Sequence, residues 1–220
     1  MNTNYLTLEN VSHNHSFVIA TYKLLTATII AATAGAFLGL KYNEILAPYY
    51  IGLVILEFIF LFGIMFTKNK PGLNVSLLFI FVTLTGITLG PLLTATLALS
   101  NGAEIILQSL VMTSVAFGGL TFYAMTTTRS FIGIRKYLII ALLIIIVAMI
   151  INIFVGSYLL MLGISVVSAF LFSMFIIADT QALYSGKYET PVDGALSMYL
   201  NILNLFISLL NILRAIKGEN

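Results

Sequence analysis

Seven apolar runs, each long enough to cross a lipid bilayer and separated by short polar gaps, constrain this chain more than any other feature. They fall at about 18–40, 49–66, 73–99, 104–126, 136–155, 159–183 and 192–213. A spanning helix needs roughly 20 mainly apolar residues. In hydrocarbon every backbone N–H and C=O must be satisfied within the segment, so runs of this length are expected as helices. Composition agrees: 60% of the 220 residues are hydrophobic and 8% are charged, against roughly a quarter charged in soluble domains. The expected fold is an all-α membrane protein, one domain over 17–220 built as a seven-transmembrane-helix bundle. A polar N-terminal tail over 1–16 precedes it, and the lipid bilayer is the first partner implied.

Several function classes fall away at once. There is no cysteine, so disulfides, thiol chemistry and cysteine metal sites are excluded. His13 and His15 lie in the polar tail and read as solvated residues, so no metal site is expected. A net charge of +2 without a long basic run gives no reason to expect nucleic acid as a partner. The polar start and the length of the first apolar run argue against a cleavable signal peptide. No HExxH, GxSxG or P-loop pattern is present, and no histidine sits in a span to act as base. The expectation is a protein that is not an enzyme and needs no cofactor.

Pro48, Pro71 and Pro191 fall at the starts of the second, third and seventh runs, where a missing N–H costs nothing. Pro91 is different, because it lies inside the third run in Gly86-Ile87-Thr88-Leu89-Gly90-Pro91. Gly90 and Pro91 should kink that helix and free carbonyls for other partners. Lys23, Lys68, Lys70, Arg129, Arg135, Lys136 and Lys187 fall on one side; Lys41, Arg214 and Lys217 fall on the other. Seven against three places the N-terminus in the cytoplasm. Seven spans then put the C-terminus outside, which suits Arg214 and Lys217 poorly and leaves a re-entrant seventh segment open. Ala31, Gly35 and Gly39, then Gly86 and Gly90, then Ser114 and Gly118, recur at the four-residue spacing that lets helices approach closely in lipid.

Ionisable groups within spans cost roughly 2.5–3.5 kcal/mol each at a helix centre on insertion scales, so they are where function is sought. Glu57 lies in the middle of the second run, and Asp179 near the end of the sixth. Positions 57, 61, 64 and 68 follow one helix face. Glu57 and Lys68 therefore share a stripe roughly 16 Å apart and do not pair with each other. They are expected to face the bundle interior. On the seventh run Ser197, Asn201, Asn204, Ser208 and Asn211 make a polar stripe at 4-3-4-3 spacing. In a bilayer such a stripe faces other helices or a hydrated path. Interhelical hydrogen bonding is the bland reading, and it weighs more for Ser208 and Asn211 than for Asn201 and Asn204.

Asp179-Thr180-Gln181, Tyr188-Glu189-Thr190-Pro191 and the stretch Ala195-Leu196-Ser197-Met198-Tyr199-Leu200-Asn201-Ile202-Leu203-Asn204-Leu205-Phe206 resemble the C-terminal signature of the Bax inhibitor-1 family. Thr85 to Pro91 is similar to that family's third segment, and Lys68-Asn69-Lys70-Pro71 to a loop of its bacterial YccA-like branch. The resemblance implies six helices around a central polar seventh. It also implies a pH-sensitive calcium leak through a pair of aspartates, latched by a basic residue after the second span. Asp179 would be the first aspartate, Lys68 the latch, and Glu57 an acid present in some members. The second aspartate is replaced here by Asn201, which removes the like-charge repulsion of a paired site, so any pH switch should be weaker. Asparagine still offers a carbonyl oxygen to a hard cation. The YccA-like branch implies another role, binding and restraining a membrane-anchored AAA protease. Both roles suit a multi-pass protein of the bacterial inner membrane, with calcium or another cation, or a membrane protease complex, as partner.

Overall fold

In a computed structural model of the chain, the backbone is described over residues 3–218 and the side chains over 15–218. Among the described residues every regular element is a helix. In chain order these are α1 (Thr3–Lys41), α2 (Asn43–Leu46), α3 (Tyr50–Phe66), α4 (Pro71–Thr88), α5 (Gly90–Leu97), α6 (Gly102–Thr126), α7 (Arg135–Val155), α8 (Tyr158–Tyr184) and α9 (Pro191–Lys217), with short 3-10 turns before α3 and α7. Among the described residues, seven helical stretches are long and apolar enough to cross a membrane: His15–Lys41, Asn43–Phe66, Pro71–Leu97, Gly102–Thr126, Ile132–Val155, Tyr158–Tyr184 and Pro191–Lys217. The all-α, seven-span architecture read from the sequence is the one observed. The last span is one unbroken helix of 27 residues.

Local chemistry explains the boundaries. Pro71 and Pro191 occupy the first positions of α4 and α9, and Pro48 lies in the 3-10 turn that leads into α3. Gly156 ends α7 in the left-handed region at φ 64°, and the Ser157 hydroxyl accepts from the Leu160 amide at 3.2 Å to start α8. Pro91 cannot donate a backbone bond, so the third span is interrupted at Leu89 between α4 and α5. Leu89 instead donates to the Gly86 carbonyl at 3.1 Å, in a tighter turn.

The chain forms two compact units. The first takes residues up to Ala95 together with Gly186–Tyr199, and in it α4 packs against both α1 and α3. Gly35, Gly39 and Gly86 make the α1–α4 contact possible. A Cβ at Gly35 would collide with the Thr83 carbonyl, at Gly39 with that of Ile87, and at Gly86 with that of Ala32. The backbones therefore meet directly, as small residues allow in lipid.

The second unit takes Thr96–Ser185 and the residues from Leu200 on. Here α8 packs against α6 and α7 around Leu138, Ile145, Leu171, Phe172, Phe175 and Ile176. The Ser114 and Gly118 pair on α6 is not used in the same way. Ser114 is exposed, and a Cβ at Gly118 would meet nothing within 4 Å. Helix α9 supplies its first turns to the first unit and the rest to the second. At the other end of the chain, the backbone from Thr3 runs helically into the first span. The side chains of residues 1–14, His13 among them, lie outside the described residues.

Candidate functional site

Asp179 sits on α8 among apolar neighbours, with Ala178 and Leu183 fully buried and its own side chain 1% exposed. A carboxylate buried this deeply needs a charge partner and hydrogen bonds, since its hydration is lost. It has both. Arg135, the first residue of α7, places its Nε 3.0 Å from Oδ1. Asn201 on α9 donates from Nδ2 to Oδ2 at 2.8 Å. One oxygen thus faces a cation and the other a neutral amide.

Two residues further along α8, Gln181 holds the connection between α6 and α7. Its Oε1 accepts from the Phe131 amide at 2.7 Å, and its Nε2 donates to the Arg129 carbonyl at 2.9 Å and the Ala124 carbonyl at 3.3 Å. Asp179 and Gln181 therefore fix the same connection at two points, one ionic and one neutral. In the sequence, Arg135 reads only as a loop charge and Gln181 only as part of the Asp179-Thr180-Gln181 motif. A usable signal existed. The loops after the fourth and sixth spans lie on one side, so a buried acid near the end of α8 is within reach of the cations before α7.

Two further residues of the α9 stripe, Asn204 and Ser208, behave differently from Asn201. Asn204 donates to the Leu200 carbonyl of its own helix at 2.7 Å, and Ser208 donates to the Asn204 carbonyl at 2.7 Å. These side chains spend their donors on the helix itself.

The first unit holds a second acid. Glu57 is half-buried on α3 and accepts from the Thr88 hydroxyl at the end of α4. Next to Thr88 on the helix, the Thr85 hydroxyl and the Tyr199 phenol share a hydrogen bond, and Tyr199 also donates to the Val82 carbonyl at 3.4 Å. Leu89, Gly90 and Pro91 follow Thr88, so the helix interruption lies beside this acid. Lys68, just beyond α3, does not pair with Glu57. Its Nζ lies 3.1 Å from Glu189 and 3.3 Å from Asp193. The hydrogen bond that Lys68 donates to Glu189 raises the lysine above its ordinary value, burial opposes this, and Asp193 adds to the rise. The cation at Asp179 is thus Arg135, while Lys68 is engaged by two acids at the start of α9. Among the described residues no group of three or more His, Cys, Asp or Glu side chains could hold a metal ion.

Residues 14–218 match the profile of a family described as "Inhibitor of apoptosis-promoting Bax1". The chain belongs to the Bax inhibitor-1 family. Its similarity to bacterial members extends over almost the full length. A protein of Campylobacter jejuni is 43% identical over 92% of this chain and 90% of its own. One from Helicobacter pylori strain J99 is 42% identical over 90% and 86%. A Vibrio cholerae relative, described as an uncharacterized membrane protein, is 37% identical over all of this chain and 98% of its own. This member of the family is accordingly a multi-pass membrane protein, and its acid–amide pair of Asp179 and Asn201 lies inside the matched region.

Proposed function

We propose that this protein passes cations, calcium foremost, down their gradient across the bacterial inner membrane, with its N-terminus in the cytoplasm. The observation that carries the reading is the Asp179 carboxylate, buried within a spanning helix and shared between Arg135 and Asn201. Acids inside spans are costly and mark ion or proton paths. While Arg135 holds Oδ1, the carboxylate is neutralised and offers a cation little. When that pair opens, Asp179 and the Asn201 carbonyl present hard oxygen ligands to an arriving cation. Asparagine contributes a dipole where a second aspartate would contribute charge, so the attraction is weaker and a shared-proton switch is lacking. Calcium uptake into proteoliposomes, with protein-free liposomes as control, tests the reading. Flux should exceed the control and fall to it in Asp179→Asn. Equal flux in the two proteins would remove Asp179 from the path.

A second reading, restraint of a membrane-anchored AAA protease in the YccA manner, draws on the Lys68-Asn69-Lys70-Pro71 resemblance. It also draws on the length of α1, whose 39 residues exceed the roughly 20 that a span needs. Deleting residues 1–15 should then release the protease while the seven spans stay folded. Unchanged co-purification would count against it.

A further inference from the structure

The connection between α6 and α7 does more than deliver Arg135. With the end of α8 it lines a widely open surface cavity of about 370 Å³. Its walls include Thr128, Arg129, Ser130, Ile132, Gln181 and Ser185. No Asp or Glu lines it. The ion pairs among the described residues engage Lys68, Arg135 and Lys217 as cations, and Arg129 is not one of them. The hydroxyls of Thr128, Ser130 and Ser185 make no hydrogen bond within the described residues. Gln181 is different, because its amide is committed to the Phe131 N–H and the Arg129 carbonyl, so it serves as a rigid back wall.

The position of the cavity decides which anion it suits. α6 ends at Thr126 and α8 at Tyr184, so the cavity lies at the level where two spans leave the hydrocarbon. Tyr123, Tyr137 and Tyr184 are exposed at the same level, in the place where tyrosines anchor a protein to the headgroup layer. Exposed Met125 and partly buried Ile132 add apolar wall on the membrane side. A guanidinium that matches a phosphate fork, hydroxyl donors around it, and apolar surface beneath together fit a phosphodiester carrying acyl chains.

We infer that this cavity is a headgroup site for an anionic phospholipid, with Arg129 gripping the phosphate and Thr128, Ser130 and Ser185 donating to it. A lipid seated there lies against the connection whose two ends are fixed by Gln181 and by Arg135 at Asp179. The site stands on its own geometry and does not depend on cation flux.

Native mass spectrometry of the purified protein in detergent tests it, with phosphatidylglycerol, phosphatidylcholine and inorganic phosphate as separate probes. Phosphatidylglycerol should bind in preference to phosphatidylcholine, and Arg129→Gln should weaken it by about fivefold, the worth of one basic residue near a membrane surface. Lys136→Gln removes a charge from the first turn of α7 without touching the cavity, so it should leave binding nearly unchanged. Equal losses in the two variants would mean diffuse attraction and overturn the site. Equal binding of the two lipids would overturn it too. Inorganic phosphate binding that displaces phosphatidylglycerol at equal concentration would make it a soluble-anion site and overturn the lipid assignment.

Discussion

Asp179 and Glu57 are both acids on spanning helices, one in each compact unit, and they are stabilised by different means. Asp179 is almost wholly buried and is held by a guanidinium and an amide. Glu57 is only half-buried and is held by a hydroxyl, with a phenol–hydroxyl pair one turn away. Lys68, just beyond the same helix, is occupied instead by Glu189 and Asp193. A deeply buried carboxylate costs too much without a counter-charge, whereas a shallower one is sustained by dipoles. Removing the partner should therefore matter far more at Asp179 than at Glu57.

The largest effect is expected for Arg135→Gln. It strands a buried carboxylate, and the loss should be roughly 3 kcal/mol, near the lower end for broken buried pairs. The lower end applies because the Arg135 side chain is 40% exposed and water screens part of the attraction. Denaturation in mixed detergent micelles measures it, and adding Asp179→Asn to the same protein should recover most of the loss. Next comes Asn201→Leu, which removes a charged hydrogen bond worth about 2 kcal/mol. Asn201→Asp, by contrast, should create two carboxylates competing for one proton. The pH dependence of stability and flux between pH 5 and 8 should become steep, while the wild type stays shallow. Identical profiles would mean that positions 179 and 201 do not interact.

Glu57→Gln should cost less than about 1 kcal/mol, because it keeps the size of the side chain and the acceptor for Thr88. A loss as large as that of Arg135→Gln would erase the contrast between the two acids. The smallest effect is expected for Lys68→Met, about 0.5 kcal/mol or less for a partly exposed pair. The value of Lys68 is raised in the folded protein. Its contribution is therefore complete below about pH 10.4, the unfolded value, and disappears only as pH rises through the raised one. Wild type and Lys68→Met should thus differ by a constant amount from pH 7 to 9.

The seven spans were legible because length and apolar content alone decide them, and the interruption at Pro91 followed from a missing N–H. Asp179, Asn201 and Glu57 were legible as polar groups that lipid cannot tolerate. Their partners were not. Spacing on one helix shows which residues share a face, but Arg135 reaches Asp179 from the start of another helix, and no periodicity encodes that. The same limit applies to Asn204. Its place in the polar stripe matches that of Asn201, yet its amide turns back to Leu200, a rotamer outcome that the sequence does not display.

Calcium flux in proteoliposomes carrying Arg135→Gln tests whether Arg135 closes a cation path at Asp179. Uptake should be faster than in wild type and fall to the protein-free level when Asp179→Asn is added. Uptake equal to wild type in Arg135→Gln, or fast uptake surviving in the double variant, would contradict it.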